Sequence, residues 1–290
     1  MKSLGYEVSL WESELEPLPE ELLDSEVVVC NGLFLYNDIS KFSKLKLVQL
    51  TSAGLDRVPI NEIRNREIKL LNARDVYSIP MSEWVILKIL EIYKNTRFFE
   101  RAQSRCEWVK NRELLELNGK TVGIIGTGSV GIEVAKRVKA FGCKVLGLNT
   151  SGSNNKYFDD CMSVNNITRF LGQIDIVVLT LPLTDKTLNM INQETLNSMK
   201  DDSVLINVSR GGIVSENDLL RCLNNGKIRG AALDVFDEEP LSKNSVLWKH
   251  PRVVVTPHNS FVSDNVSGRM FKLIYGNLER FINKRPLKHI

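Results

Sequence analysis

The feature that most constrains the fold is a glycine-rich segment between a strand pattern and a helix pattern. Gly126-Thr127-Gly128-Ser129-Val130-Gly131 follows the apolar run Thr121 to Ile125 and opens an apolar-periodic helix that continues through Phe141. Glycines in such a turn let the backbone approach a phosphate closely, and the helix N-terminus presents free N–H groups to it. The segment therefore predicts a parallel α/β sheet whose first crossover binds a dinucleotide.

Strand and helix patterns alternate along most of the chain, which is typical of doubly wound parallel sheets. Strand patterns in the first part of the chain lie at Tyr6 to Leu10, Glu26 to Cys30, Leu45 to Thr51 and Ile68 to Asn72. In the second part they lie at Thr121 to Ile125, Lys144 to Leu148, Asp175 to Thr180, Val204 to Ser209, Ile228 to Val235 and Val253 to Thr256.

Two further helix patterns divide this alternation into domains. Apolar residues recur near a 3.6-residue period from about Met81 to Trp108, which predicts one long helix between two domains. The tail, Asp264 to Asn283, is also helical in pattern and is expected to pack back on the first domain. We therefore predict one domain from residues 1–80 plus 262–290 and a dinucleotide-binding domain from residues 81–261.

Composition excludes several classes of function. The 38 basic and 35 acidic residues are spread evenly and give a net charge of +3, which argues against nucleic acid or a membrane surface as the main partner. No apolar run approaches the roughly 18 residues needed to cross a bilayer. The five cysteines are widely spaced and show no metal-binding pattern, so we expect reduced thiols, no metal site and a cytoplasmic protein.

Three strand patterns near the end of the chain each lead to a different ionisable residue. These residues are Arg210, Glu239 and His258. Neighbouring parallel strands open at their carboxyl ends into one crevice, where ligands bind. The three side chains are therefore expected to converge beside the dinucleotide, which suggests a dehydrogenase. The other two histidines, His250 and His289, lie in a loop and next to the terminus, where we expect them to be solvated.

Four motifs in this order resemble the D-isomer-specific 2-hydroxyacid dehydrogenases. Besides the glycine motif they are Asn207-Val-Ser-Arg210-Gly-Gly, Asp234-Val-Phe-Asp-Glu-Glu239-Pro and Thr256-Pro-His258. Within that family the chain most resembles the glyoxylate and hydroxypyruvate reductase branch, through Tyr77-Ser-Ile-Pro-Met-Ser-Glu-Trp84 and Thr256-Pro-His-Asn-Ser260. The resemblance spans nearly the whole chain. It implies a Rossmann cofactor domain, a smaller flavodoxin-like substrate domain and a small 2-ketoacid substrate. It also implies a homodimer formed through the helical arm of the cofactor domain, which here would begin near Met81.

The resemblance also implies roles for individual residues. Arg210 would bind the substrate carboxylate and polarise the keto oxygen through paired, charge-assisted hydrogen bonds. His258 would protonate the forming alkoxide, and Glu239 would hold its far ring nitrogen and favour its charged form. The turn Ser52-Ala53-Gly54 would receive the substrate carboxylate on its backbone N–H groups. Besides the glycine motif, cofactor contacts would come from Asn149, Thr150, Ser151, Leu181, Pro182, Thr187, Val208, Ser209 and Asp234, of which Asp234 would contact the nicotinamide carboxamide.

The chain departs from the family pattern in two places. NAD-using members carry an acidic residue after the second cofactor-domain strand, where this chain has Asn149, so the carboxylate that repels a 2′-phosphate is absent. Hydroxyls at Thr150, Ser151 and Ser153, with Lys156, are available to such a phosphate, so NADP is slightly favoured over NAD. The start, Met1 to Tyr6, reads like the end of the family's first helix, so we expect the first βα unit of the small domain to be missing. Either the start is truncated or the small domain is rearranged.

The sequence leaves two alternatives to an NAD(P)-dependent 2-ketoacid reductase. One is a non-catalytic NAD(P) sensor of the same fold, and the other is a degraded or mis-started protein whose small domain cannot close the cleft. One acidic motif receives no chemistry: Ser215-Glu216-Asn217-Asp218 predicts a helix N-cap followed by acidic residues in the first turn.

Overall fold

A computed structural model describes residues 1–287, and the chain divides into two compact units. The larger unit runs from Ser78 to Val262, and the smaller unit comprises Met1–Tyr77 and the segment from Ser263 onward. Each unit has its own parallel sheet, which confirms the predicted α/β class. His289 lies outside the described residues.

Ten strands and eight α-helices, numbered in chain order, make up the regular structure of residues 1–287. The strands are β1 Val27–Cys30, β2 Leu47–Leu50, β3 Lys69–Leu71, β4 Thr121–Ile125, β5 Lys144–Asn149, β6 Asp160–Ser163, β7 Ile176–Leu179, β8 Ser203–Asn207, β9 Ile228–Leu233 and β10 Val253–Val255. The helices are α1 Ile60–Asn65, α2 Ser78–Tyr93, α3 Thr96–Ser104, α4 Ser129–Ala140, α5 Ile167–Leu171, α6 Gln193–Ser198, α7 Glu216–Asn224 and α8 Val266–Ile282.

The smaller unit contains a three-stranded sheet in the order β1-β2-β3. Ile274 and Leu278 of α8 pack against Leu47 and Leu71 of this sheet, as predicted for the helical tail. The strand predicted at Tyr6 to Leu10 is wrong, because no described strand pairs with this segment. Alternating residues do not make a strand by themselves, since a strand is stabilised by hydrogen bonds and side-chain contacts to a neighbour.

The single long helix predicted from Met81 to Trp108 is also wrong. It is two helices, α2 and α3, separated at Asn95, whose φ of 47° is left-handed. A left-handed residue ends the right-handed α-helical path, and asparagine is among the few residue types that adopt this conformation readily. The arm therefore bends after Tyr93 and its helical part ends at Ser104.

The larger unit contains a seven-stranded sheet in the order β10-β9-β8-β7-β4-β5-β6. The chain moves outward from β4 to β6 and then crosses back to β7, so the strand order reverses at β4. Its edge strand β6, with the sequence Asp-Cys-Met-Ser, was not predicted because it has no β-branched or strongly apolar pattern.

Both faces of the seven-stranded sheet are covered, as parallel sheets require. Along β7, Ile176 and Val178 belong to the core that includes α2 and α4, whereas Val177 and Leu179 belong to the core that includes α5, α6 and α7. With both faces filled by apolar side chains, the polar groups of the larger unit collect at the two ends of the strands.

Candidate active site

The glycine motif forms a tight turn at the carboxyl end of β4. Gly126 has φ +100°, and a Cβ there would lie 2.7 Å from the carbonyl oxygen of Thr180. A Cβ at Gly131 would lie 2.2 Å from the carbonyl oxygen of Gly126, so the start of α4 packs directly on the turn. A Cβ at Gly128, by contrast, would meet nothing within 4 Å. The turn is thus closed toward the protein and open at the N-terminus of α4, which fits a dinucleotide pyrophosphate.

Asn149 ends β5 next to this turn and organises the loop that follows it. Its Oδ1 accepts the N–H of Gly152 at 2.7 Å, while its Nδ2 donates to the carbonyl oxygen of Ser153 at 2.9 Å and to the hydroxyl of Thr127 at 3.1 Å. The Ser151 and Ser153 hydroxyls are hydrogen-bonded to each other at 2.8 Å. Asn149 therefore holds a hydroxyl-rich loop in place and contributes no negative charge to it.

Five further predicted cofactor residues lie after β7 and β8, the next two strands of the sheet: Leu181, Pro182, Thr187, Val208 and Ser209. The N–H of Leu181 donates to the Ser209 hydroxyl at 3.3 Å, which joins the two strand ends. The Thr187 hydroxyl donates to the carbonyl oxygen of Pro182 at 2.7 Å and closes the loop after β7. Val208 is buried. The structure therefore places these residues along the same edge as the glycine turn.

Arg210, Glu239 and His258 follow β8, β9 and β10, three adjacent strands. The Nδ1 atom of His258 lies 2.7 Å from Oε2 of Glu239, and about a third of each side chain is exposed (32% and 34%). The other carboxylate oxygen of Glu239 accepts the N–H of Phe236 at 3.0 Å. Within residues 1–287 the Nε2 atom of His258 has no hydrogen-bond partner. The pair thus fixes the imidazole at one nitrogen and leaves the other available for proton transfer.

Arg210 is half-buried, and one of its guanidinium nitrogens donates to the carbonyl oxygen of Ser209 at 2.9 Å. Its backbone is tied to the strand it follows, because the amide of Asn207 donates to the Arg210 carbonyl oxygen at 3.0 Å. Gly211 comes next, and a Cβ there would lie 1.9 Å from the carbonyl carbon of Phe236. The turns that carry Arg210 and Glu239 therefore touch through their backbones.

Asp234 holds the segment that carries His258. Its fully buried carboxylate accepts the Thr256 hydroxyl at 2.5 Å and the N–H groups of Asn259 and Ser260 at 2.9 Å each. The N–H of His258 itself, whose φ is 50°, donates to the Asp234 carbonyl oxygen at 2.8 Å. Sequence reasoning missed this role, although an acid after one strand facing a Thr-Pro-His-Asn-Ser turn after the next strand was a usable signal. Its contact with a nicotinamide stays a prediction.

Ser52, Ala53 and Gly54 follow β2 and belong to the smaller unit. The Ser52 hydroxyl donates to the Gly54 carbonyl oxygen at 3.0 Å, and the Asn72 amide donates to the Ala53 carbonyl oxygen at 2.9 Å. The carbonyl oxygens of Ala53 and Gly54 are thereby both hydrogen-bonded to side chains. Its assignment to substrate binding stays a prediction.

Two kinds of feature are absent from residues 1–287. No group of three or more His, Cys, Asp or Glu side chains is arranged to hold a metal ion. Nor is any described helix both long and apolar enough to cross a membrane.

Comparison with known proteins gives consistent matches. The family model for the NAD-binding domain of D-isomer-specific 2-hydroxyacid dehydrogenases matches residues 86–260. A glyoxylate reductase of Pyrococcus horikoshii is 32% identical, over 95% of this chain and 86% of that protein.

Solved structures agree with these matches. A family protein of Aeromonas salmonicida superposes with a TM-score of 0.81 at 32% identity, covering 93% of this chain and 86% of that one. An NADPH-dependent glyoxylate/hydroxypyruvate reductase of Sinorhizobium meliloti, solved with NADP and sulfate, gives 0.79 at 31% identity, covering 91% and 84%.

Proposed function

The chain belongs to the D-isomer-specific 2-hydroxyacid dehydrogenase family, and we propose that it reduces a small 2-ketoacid such as glyoxylate or hydroxypyruvate to the D-2-hydroxyacid. The observation that carries the proposal is the 2.7 Å contact between His258 and Glu239, with Arg210 after the neighbouring strand β8, at one edge of a dinucleotide-binding sheet. An oriented imidazole can protonate a carbonyl oxygen, and a guanidinium at the same edge of the sheet can bind the carboxylate of the same substrate.

Each member of this trio has a separate task. When bound, the reduced nicotinamide supplies the hydride that is added to the keto carbon. Arg210 binds the substrate carboxylate with its planar pair of donors and draws electron density toward the keto oxygen. His258 donates the proton on Nε2 to that oxygen, so the product gains one hydride and one proton. Glu239 holds Nδ1, orients the ring and stabilises the imidazolium before the transfer.

The cofactor is NAD or NADP, and we infer that NADPH is used at least as well as NADH. Asn149 carries no negative charge, and its bonds to Gly152 and Ser153 present a loop of hydroxyls beside the glycine turn. A neutral loop does not repel a 2′-phosphate as an acidic residue would.

We also propose a homodimer formed through the helical arm. Several large apolar side chains on and after this arm are exposed to solvent, among them Leu87, Phe99, Trp108 and Val109, with Trp108 96% exposed. The exposure of several large apolar side chains along one segment supports a contact surface there. Sedimentation velocity of the purified chain measures the state directly, and a monomer at micromolar concentration would contradict the proposal.

The function is tested by following oxidation of NADH and NADPH with glyoxylate, hydroxypyruvate, pyruvate and branched 2-ketoacids. We expect turnover with at least one acid. Binding of the cofactor without turnover of any acid would overturn the enzyme and favour a nucleotide sensor. A kcat/KM ratio favouring NADH by about tenfold, roughly 1.4 kcal/mol, would overturn the cofactor preference alone.

A further inference from the structure

The turn after β9 must hold a fixed shape, because it carries Glu239. Within the turn, Glu239 accepts the N–H of Phe236 at 3.0 Å. The next N–H, that of Asp237, points to another element and donates to Oε1 of Glu216 at 3.0 Å. Glu216 is the first residue of α7. The sequence alone assigned this glutamate no chemistry, yet in the fold it reaches the turn of the proposed proton donor.

Glu216 and Gly211 both lie against the peptide unit between Phe236 and Asp237. A Cβ at Gly211 would lie 1.9 Å from the Phe236 carbonyl carbon and 2.4 Å from the Asp237 nitrogen. Gly211 follows Arg210 directly in the chain. A shift of the Phe236–Asp237 peptide toward Gly211 would therefore displace the turn that carries Arg210. The glutamate therefore acts where the turns of two proposed site residues meet.

The electrostatics of Glu216 differ from those of an ordinary helix-capping acid. Partial burial raises the pKa of its carboxyl, and the nearby Asp237 carboxylate raises it further, while the Asp237 N–H lowers it. No Lys, Arg or His of residues 1–287 forms an ion pair with it. The N-cap residue before it, Ser215, makes no side-chain capping bond. Within residues 1–287, the Glu216 carboxylate is thus stabilised by the hydrogen bond from the Asp237 N–H and by the dipole of α7.

We propose that Glu216 is a positioning residue for the proton-donating pair. By holding the Asp237 N–H, it sets the turn so that the Glu239 carboxylate reaches Nδ1 of His258. Its catalytic consequence rests on the proposed ketoacid reduction, whereas its effect on the His258 ring can be observed without any turnover.

The test compares Glu216→Ala, which deletes the acceptor, with Glu216→Gln, which keeps an oxygen in reach of the Asp237 N–H. The readout is the exchange rate with water of the His258 ring N–H held by Glu239, measured by NMR and assigned with His258→Gln. We expect Glu216→Ala to raise this rate at least about tenfold, and Glu216→Gln to restore it to near the wild-type value. Glu194→Ala, which removes an exposed first-turn glutamate of α6, is the matched control and should change nothing.

Turnover adds a second readout. If the ketoacid reduction holds, Glu216→Ala should lower kcat about tenfold with little change in KM for the cofactor, since a misplaced acid weakens the transfer more than binding. In a Glu239→Gln background the same change should have almost no further effect, because the turn then holds no charged partner for His258.

Two results would overturn the positioning role. One is a folded Glu216→Ala protein whose ring N–H exchanges at the wild-type rate, which would leave Glu216 as a helix-stabilising residue. The other is a Glu216→Gln protein as impaired as Glu216→Ala, which would show that charge acts rather than the hydrogen bond. An inactive wild type would overturn only the proposed reduction, because the exchange measurement still decides the role of Glu216.

Discussion

Carboxyl groups at the two ends of the seven-stranded sheet have pKa values shifted in opposite directions. At the amino end, Asp175 accepts the Thr121 N–H at 2.8 Å and pairs with Lys200 at 2.5 Å. Burial raises the pKa of the Asp175 carboxyl, but the bonds from Lys200 and Thr121 outweigh it, so the pKa lies below its ordinary value. Asp159, beside the start of β5, is similar: hydrogen bonds from Lys139 and Val145 lower its pKa.

At the carboxyl end, no Lys, Arg or His within residues 1–287 forms an ion pair with Glu216 or Asp237. Partial burial raises the pKa of both Glu216 and Asp237, and the two groups lie beside each other. Glu239 pairs with a histidine, which is charged only when protonated. The amino end thus stabilises the ionised native state. The carboxyl end, where we propose that the substrate binds and the proton is transferred, instead keeps partly buried carboxylates at some cost in stability.

The largest effect expected from this contrast is catalytic and confined to the carboxyl end. His258→Ala should lower kcat roughly 10²–10⁴-fold, since general acid catalysis is typically worth that much, with little change in the unfolding midpoint. Steady-state kinetics check this, with His250→Ala as the control. Near-full kcat in His258→Ala would mean that another group donates the proton.

The next effect concerns stability and is confined to the amino end. Asp175→Asn should lower the free energy of unfolding by about 1–3 kcal/mol at neutral pH, because two hydrogen bonds lose a charged acceptor. Since the folded pKa is lowered, the ionised group stabilises the protein above the unfolded value of about 3.9, and this contribution is lost as pH falls through the folded value.

Urea unfolding at several pH values measures this, and the wild type and Asp175→Asn should converge in acid. Asp201→Asn, which removes an 86%-exposed carboxylate paired with Lys227, is the control and should cost under about 1 kcal/mol. A difference between wild type and Asp175→Asn that persists at acid pH would show that shape, not charge, matters at this position.

The smallest expected effect is a gain in stability when a carboxylate is removed at the carboxyl end. Because the folded pKa of Asp237 is raised, its ionisation destabilises the native state, increasingly as pH rises from the unfolded to the folded value. Asp237→Asn should therefore stabilise the protein at neutral pH, and not below the unfolded pKa. Because Asp237 is exposed and solvent screens its charge, the gain should be at most a few tenths of a kcal/mol. Thermal melts at both pH values, with Glu238→Gln as control, test this. If Asp237→Asn were destabilised at neutral pH, carboxylates would stabilise the native state at both ends of the sheet, and the proposed difference between the ends would be wrong.

The sequence by itself determined the features that local chemistry decides. The glycines at 126 and 131 were predictable because a tight turn between strand and helix admits little else at these positions. The places of Arg210, Glu239 and His258 followed from counting apolar runs, since parallel strands share one carboxyl edge. Periodicity also predicted α8, whose apolar stripe must be covered by a sheet.

Only the tertiary structure decided features that depend on neighbours distant in the chain. The pattern at Tyr6 to Leu10 suits a strand, but pairing decides whether a strand forms, and no described strand pairs with it. The bend at Asn95 depends on one backbone conformation that helical periodicity does not encode. Glu216 and Asp237, and Asp234 and Ser260, are 21 and 26 residues apart, and a hydrogen bond between them exists only once the crossovers have brought the strand ends together.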